Sequence, residues 1–125
     1  MTLTSIDHIV LVADDIQPLI TFYRDHLGAK VEESRPGKFE LIFGDCKVSL
    51  QSTANVPVIA HNTKPGTANV CFATLEPMPD LCARLVGAGV EQVSPLQERD
   101  GAVGKILSAH FRDPAGNLIE LGNRL

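Results

Sequence analysis

Two residues near opposite ends of the chain have side chains that suit a divalent metal ion. His8 lies in the apolar, β-branched run Ile6–Val12, and Glu120 lies in the apolar run Leu118–Leu121. A carboxylate in such a run carries a desolvation cost unless it is paired or bound to a cation. Neutral imidazole nitrogen and carboxylate oxygen are both ligands for divalent first-row metals. We therefore expect His8 and Glu120 to converge on one interior that resembles a metal site.

Side-chain alternation along each predicted strand gives the direction of these two candidates. If Ile9 and Leu11 pack under a helix, His8 lies on the opposite face of the same strand. The apolar neighbours Ile119 and Leu121 belong to the core, so Glu120 between them points inward.

A second chemical candidate is His110. It alternates with Phe111 and is therefore expected to share a face with Ser108. An imidazole has an unperturbed pKa near 6.5, so this residue suits a general base, a proton shuttle or a substrate contact. The remaining histidines, His26 on a helix surface and His61 in a connector, are expected to be solvated.

The first half of the chain predicts a strand, a helix and three further strands. The strand covers residues 6–12, and the helix follows the capping pair Asp14-Asp15 and ends at Gly28. Apolar residues recur along this helix at the spacing of one face. Shorter strand-like runs are expected near residues 29–33, 39–43 and 46–51.

The second half repeats this order of elements. A strand is predicted over residues 68–74, a helix begins at Pro77 and ends at Gly87 or Gly89, and strands are predicted over residues 90–94, 106–111 and 117–121. Aligning Asn69 with His8 also aligns Gly89 with Gly28. The pattern predicts an internal repeat.

The repeat predicts an α+β fold of two βαβββ modules in tandem, whose curved mixed sheets surround a cleft. We expect one domain, with module one at about residues 1–53, a connector at about 54–66 and module two at about 67–125. Each module leaves one face of a four-stranded sheet bare. Burial of apolar area stabilises by about 25 cal/mol per Å², so we expect the halves to join or to pair with another copy.

Composition limits the partners. The 125 residues carry a net charge of −4 without a cluster of Lys or Arg, which argues against nucleic acid. No apolar stretch is long enough to cross a membrane, and Asp7 and His8 interrupt any export signal. Three cysteines without a paired motif fit free thiols in the cytoplasm. Of these, Cys71 is expected to be a small buried hydrophobe.

Four segments together resemble the vicinal oxygen chelate superfamily, which includes glyoxalase I, fosfomycin-resistance enzymes, bleomycin-resistance proteins and extradiol dioxygenases. The segments are Ile6–Val12, Phe22–Gly28, Pro65–Phe72 and Phe111–Leu121, of which the last is the most specific. Within that superfamily the chain is most similar to small glyoxalase-domain proteins of uncertain activity.

The resemblance implies a divalent metal (Ni, Zn, Mn or Fe) held by the first and fourth strands of each module. By position, the first-strand ligands are His8 and Asn69, and the fourth-strand ligand of module two is Glu120. The equivalent residue of module one falls near Gln51. Asn69 departs from the family pattern, because relatives often have His or an acidic residue there. An amide binds a metal only through its neutral carbonyl oxygen.

These residues favour a metal-dependent lyase, isomerase or transferase that acts on a small substrate with adjacent oxygens. The metal would act as a Lewis acid, with Glu120 as its anchor or a proton shuttle and His110 as the acid/base. Oxygen-dependent ring cleavage ranks low, because iron normally takes two His and a carboxylate. The alternative is a metal-free protein that binds a drug or metabolite. The resemblance also implies a homodimer with shared clefts.

Overall fold

The computed structural model describes residues 2–55 and 59–125, and they form two compact units, residues 1–66 and 67–125. Each unit contains one α-helix and a four-stranded mixed sheet. In chain order the elements are β1 (His8–Ala13), α1 (Gln17–Thr21), a turn of π-helix (Phe22–His26), β2 (Lys30–Arg35), β3 (Lys38–Phe43), β4 (Cys46–Ser52), a 3₁₀ turn (Thr53–Asn55), β5 (Asn69–Ala73), α2 (Met78–Gly87), β6 (Gln97–Gly101), β7 (Gly104–Arg112) and β8 (Leu118–Arg124).

The two sheets have the same topology. The strand orders are β1-β4-β3-β2 and β5-β8-β7-β6, with β1 parallel to β4 and β5 parallel to β8. The other neighbouring pairs are antiparallel. The predicted α+β fold of tandem βαβββ modules is confirmed.

Burial alternates along the strands as the sequence predicts. In β1, Leu11 and Ala13 are buried while His8 and Val10 are exposed. In the second unit α2 packs against β7 and β8, and its buried face includes Leu85. The polar candidates therefore lie on the sheet face opposite to the one that packs against the helices.

One predicted strand is wrong. Residues 90–94 do not form a strand: Gln92 makes only an isolated bridge to Phe111, and the first strand after α2 is β6, Gln97–Gly101. The apolar residues of 90–94 suggested a strand, whereas β6 is polar and mostly exposed. An edge strand can be built from such residues, because its pairing depends on backbone hydrogen bonds with one neighbour.

The first helix also differs in detail from the prediction. It has five residues and continues as the π-helical turn Phe22–His26, and the chain leaves the helix at Gly28, whose φ is +66°. Its N-cap is Ile16, and the carboxylate of Asp15 accepts a hydrogen bond from the backbone N–H of Gln17. None of the helices in the described parts of the chain combines the length and apolar character needed to span a membrane.

A polar turn connects β7 to β8 and fixes where β8 begins. The carboxylate of Asp113 accepts hydrogen bonds from the backbone N–H groups of Ala115 and Asn117 and from the Asn117 amide. The Asn117 side-chain oxygen in turn accepts the backbone N–H of Ala68, immediately before β5, at 3.1 Å. The turn therefore ties together the starts of the two strands that carry Asn69 and Glu120.

Candidate functional site

Glu120 lies at the middle of β8, between one residue on each neighbouring strand. It pairs with Cys71 of β5 and with His110 of β7. The His110 Nε2 atom is 3.4 Å from Glu120 Oε1, and the two side chains are 20% and 18% exposed. The structure therefore brings together two of the predicted site residues, in a half-buried pair of an imidazole and a carboxylate.

The hydrogen bonds of Ser94 determine which nitrogen of His110 carries a proton. The Ser94 hydroxyl oxygen accepts the backbone N–H of His110 at 2.9 Å and an Arg99 guanidinium N–H at 3.1 Å. A hydroxyl has two acceptor sites and one donor, so its own hydrogen is directed to His110 Nδ1, 2.7 Å away. In neutral His110 the proton therefore lies on Nε2, beside Glu120.

The other side of the Glu120 carboxylate is held by Ser108. The Ser108 hydroxyl donates to Glu120 Oε2 at 2.6 Å, and it accepts an N–H from Arg99 at 3.2 Å. Arg99 also donates to the Ser108 and Pro95 backbone carbonyls. The carboxylate thus has hydrogen-bonding partners within its own unit, and they offset part of its desolvation cost. The sequence had led us to expect a cation in that role.

His8 begins β1 and has a carboxylate beside it. Its Nδ1 atom is 2.7 Å from Asp7 Oδ2, and its side chain is 46% exposed. Because an ionised carboxylate only accepts hydrogen bonds, Nδ1 carries the hydrogen and the Nε2 lone pair is available in the neutral ring. The hydrogen bond from His8, together with the ring's charge when protonated, lowers the pKa of Asp7. Histidines that bind metals are commonly oriented by such a partner.

Asn69 and Gln51 occupy different positions relative to the proposed ligands. Asn69 is an exposed residue at the start of β5, opposite Leu118 and two residues before Cys71. Gln51 pairs with Val12, whereas His8 pairs with Lys47, so Gln51 lies four residues, or about 13 Å, farther along β4. Within the first unit, the structure does not place Gln51 next to His8.

The strand registers identify which residue of module one corresponds to Glu120 of module two. Glu120 pairs with the third residue of β5, Cys71, and the residue that pairs with the third residue of β1, Val10, is Ser49. By strand register the position equivalent to Glu120 is therefore Ser49, two residues before Gln51. The sequence contains no motif that fixes the register of β4, so Gln51 was placed from position alone.

A buried carboxylate of the first unit was missed by the sequence analysis. Glu40 of β3 is only 2% exposed, and its Oε2 accepts the Ser49 hydroxyl at 2.5 Å. Lys47 and Lys38 place their ammonium groups 3.4 and 3.7 Å from its Oε1. Burial alone would raise the pKa of Glu40, but the Ser49 hydrogen bond and the two lysines outweigh it, so the net pKa is lowered. The apolar run Phe39–Phe43 was the available signal, because it encloses this acid as residues 118–121 enclose Glu120.

The prediction that Cys71 is buried is wrong. The residue is exposed on the face of β5 that carries Asn69, beside Glu120. Partial burial of the thiol and then the Glu120 charge raise its pKa, against a smaller opposing effect of Arg124. The thiol is therefore poorly ionised at neutral pH, which argues against a nucleophilic role.

A concavity of about 240 Å³ adjoins Glu120 within the second unit. The β6–β7 hairpin, residues 100–104, lines it together with β5 and β8. Its lining includes Cys71, Ala73, Asp100, Ile106, Glu120 and Arg124. The site thus combines an acid–base pair with a space that can hold a small molecule.

The residues that could bind a metal come from both units of the chain. Among residues 2–55 and 59–125, no group of three or more His, Cys, Asp or Glu side chains is arranged to hold a metal ion. The individual donors nevertheless fit one: His8 has an oriented ring with an available nitrogen, and Glu120 is a half-buried carboxylate. A complete coordination sphere would need Asn69 or other neutral oxygen ligands.

Known proteins with similar sequences and structures identify the family. A family model described as the Glyoxalase/Bleomycin resistance protein/Dioxygenase superfamily matches residues 5–121. Virulence protein STM3117 of Salmonella typhimurium is 38% identical over 122 residues, which cover 97% of this chain and 85% of that protein. Its crystal structure has a TM-score of 0.92, with 36% identity and complete coverage of both chains.

Two further relatives have comparable similarity. The glyoxalase domain-containing protein RDO1 of Mycosarcoma maydis is 35% identical over 124 residues, which cover 98% of this chain and 70% of that protein. The integron cassette protein VCH_CASS1, from the mobile metagenome of V. cholerae, has 35% identity and a TM-score of 0.91, with coverage of 100% of this chain and 98% of that one. The chain belongs to the glyoxalase/bleomycin resistance protein/dioxygenase superfamily, the vicinal oxygen chelate proteins.

Proposed function

We propose that the protein is a divalent-metal enzyme of the glyoxalase type, a lyase, isomerase or transferase that acts on a small substrate with adjacent oxygens. The observation that carries this proposal is the contact between His110 Nε2 and Glu120 Oε1, with the proton of neutral His110 directed to Nε2 by Ser94. An imidazole N–H held in place beside a carboxylate is suited to stabilise negative charge that develops on a substrate oxygen. Membership of the superfamily supports the reaction class.

In this proposal His8 and Glu120 are the principal metal ligands, and Asn69 and Gln51 contribute oxygen atoms to the ligand sphere or to its hydrogen bonds. The Asp7 carboxylate orients His8, and Ser108 orients Glu120. When bound, the metal (Ni, Zn, Mn or Fe) supplies a Lewis acid for adjacent substrate oxygens.

Three residues of the second unit have the other roles in the proposed reaction. The Nε2–H of neutral His110 donates a hydrogen bond to a substrate oxygen on which negative charge develops, and so stabilises that charge while the ring keeps its proton. Ser94 keeps the ring oriented throughout, because its hydroxyl hydrogen bonds to Nδ1. Arg99 holds both Ser94 and Ser108 and so fixes the spacing of the imidazole and the carboxylate.

The direct test is metal binding by protein purified without chelator. Elemental analysis and calorimetric titration with each of the four metals are expected to give one site per chain. The His8→Ala and Glu120→Gln variants should each weaken binding by tenfold or more, while His26→Asn and Glu76→Gln serve as matched controls. Full stoichiometric metal in His8→Ala would overturn the ligand assignment, and absence of binding by the wild type would overturn the metal-dependent function.

The alternative is a metal-free protein that binds a small molecule, and one observation favours it. Glu120 already has Ser108 and His110 as partners, so its charge is compensated in part without a cation. Under this alternative, a bound small molecule keeps the same affinity in excess chelator. Under the principal proposal, chelator weakens the binding of a substrate with adjacent oxygens.

We also propose that the protein is a homodimer. Val10, on the same sheet face as His8, and Phe43 are both exposed in the chain. Apolar side chains on a sheet favour coverage by another surface. Light scattering coupled to gel filtration is expected to give twice the chain mass, and a strict monomer would contradict the dimer.

A further inference from the structure

We propose that the concavity beside Glu120 binds a carboxylate through Arg124, so that the substrate is a small molecule with adjacent oxygens at one end and a carboxylate at the other. This inference rests on the proposed function for the Glu120 end and names the class of substrate. It depends on three properties of the second unit: the shape of the concavity, its charge distribution and the spacing of its two ends.

The shape follows from a close approach between β7 and β8. A Cβ atom added to Gly122 would lie 2.5 Å from Ile106 Cγ1, so the Ile106 side chain occupies the space above this residue. Gly122 stands between Glu120 and Arg124 on the same face of β8. The apolar side chains of Ile106 and Ala73 line the middle of the concavity, between two charged ends.

The charges make one end suitable for an anion. Asp100 also lines the concavity, but its carboxylate contacts the ammonium group of Lys105 at 2.5 Å. Glu120, at the other end, contacts His110 and Ser108. Within the described residues Arg124 has no ion-pair partner, and its guanidinium is the only cationic group among the residues that line the space. An arginine presents several N–H donors in a planar fork that fits a carboxylate.

The spacing fits a short molecule with two polar ends. Glu120 and Arg124 are four residues apart on one face of a strand, or about 13 Å between their Cα atoms, and both residues line the concavity. The volume of about 240 Å³ is below the range of about 300–1,000 Å³ typical of drug-sized ligands. Small metabolite-sized acids meet both conditions.

The test uses two probes that differ only in the distal carboxylate: 2-oxoglutarate and 2-oxopentanoate. Because Cys71 lines the concavity, a bound probe should slow its alkylation by iodoacetamide, which peptide mass spectrometry measures separately from Cys46 and Cys82. We expect 2-oxoglutarate to protect Cys71 at a concentration at least about tenfold lower than 2-oxopentanoate, a difference typical of one charge-assisted hydrogen bond.

Two variants of Arg124 test whether this residue causes the preference for 2-oxoglutarate. Arg124→Gln should abolish the preference for 2-oxoglutarate, and Arg124→Lys should retain part of it. Arg112→Gln, which removes the same charge from the far end of β7, should leave the preference unchanged. Equal protection by both probes, or a preference that survives in Arg124→Gln, would overturn the proposal.

The assay is run in chelator and then with added metal, so that it is independent of the proposed function. Preference for 2-oxoglutarate in chelator tests Arg124 alone. Protection that persists while calorimetry shows no metal binding would overturn the metal-dependent function and leave the carboxylate site intact. Metal binding without any preference between the probes would overturn the carboxylate site alone.

Discussion

Glu40 and His110 occupy equivalent positions in the two sheets. Glu40 of β3 pairs with Ser49 of β4, and His110 of β7 pairs with Glu120 of β8. Each unit therefore has one carboxylate at this pair of positions. It lies on β3 in the first unit and on β8, the equivalent of β4, in the second unit. In both units a serine hydroxyl donates to that carboxylate, Ser49 to Glu40 and Ser108 to Glu120.

Ser94→Ala should alter the proton position on His110. The variant removes the hydroxyl that donates to Nδ1 and the acceptor of the His110 backbone N–H. We expect the neutral ring to become a mixture of tautomers, measured by the ¹⁵N chemical shifts of its nitrogens, and a loss of about 1–3 kcal/mol in the free energy of unfolding. The exposed Ser5→Ala is the control. An unchanged Nε2–H tautomer in Ser94→Ala would contradict the hydrogen-bond assignment.

Glu40→Gln should change the dependence of stability on acid pH. The pKa of Glu40 is lowered in the folded state from its ordinary value of 4.5. The ionised carboxylate therefore stabilises the fold at neutral pH, and this contribution is lost as the pH falls below about 5 and through the folded-state pKa. Urea unfolding at pH 7, 5 and 4 should show a smaller loss of stability on acidification in Glu40→Gln than in the wild type.

The control for this measurement of stability at acid pH is Glu76→Gln. Glu76 is a partly exposed acid whose ion pair is with Arg84, and surface pairs of this kind contribute about 0–1 kcal/mol. Its replacement should leave the pH profile close to that of the wild type. A Glu40→Gln profile parallel to the wild-type profile would contradict the role assigned to the buried carboxylate.

Gly122→Ala should destabilise the second unit by overpacking. The added methyl group would be 2.5 Å from Ile106 Cγ1 and 3.0 Å from the Leu107 carbonyl oxygen, and overpacking of this kind costs about 1–3 kcal/mol. In an Ile106→Ala background the cost should fall by more than half, because the contact is removed. Gly87→Ala in α2, where a methyl group meets nothing within 4 Å, is the control and should not destabilise. Equal costs in both backgrounds would contradict the packing.

Asp7→Asn should weaken metal binding without abolishing it. The carboxylate accepts the Nδ1 hydrogen of His8 and holds the ring orientation, and removal of such a partner typically reduces metal affinity by about 10–100-fold. Calorimetric titration measures the change, with the exposed turn residue Asp45→Asn as the control. An affinity equal to that of the wild type would show that Asp7 does not orient a ligand.

The fold was predictable because local signals agree with the global topology. Alternation in the run 6–12 and the glycines after each predicted helix identified the repeat before any register was known. The strand at residues 97–101 was not predictable, since its residues are polar and its pairing depends on β7 alone. Residues 90–94 were therefore predicted as the strand instead, because they are more apolar.

The candidate site was predictable only within one strand pair. Parity placed His110 and Glu120 on one face, and in the structure His110 Nε2 lies 3.4 Å from Glu120 Oε1, a contact that parity alone does not predict. The supporting residues Ser94 and Arg99 were missed because they lie outside or at the edge of the apolar runs, and no spacing rule links them to His110. Glu40 was missed although the same desolvation argument applied to it.

The turn that holds Asp113 and Asn117 has a consequence for experiments on this protein. A slip of β8 by one residue would move Glu120 to the opposite face of the sheet, and the turn's hydrogen bonds to the start of β5 oppose such a slip. Random mutagenesis scored only by loss of ligand binding would therefore select substitutions at these two positions together with those at Glu120. Separating scaffold defects from chemical ones in such a screen requires a parallel measurement of folded protein.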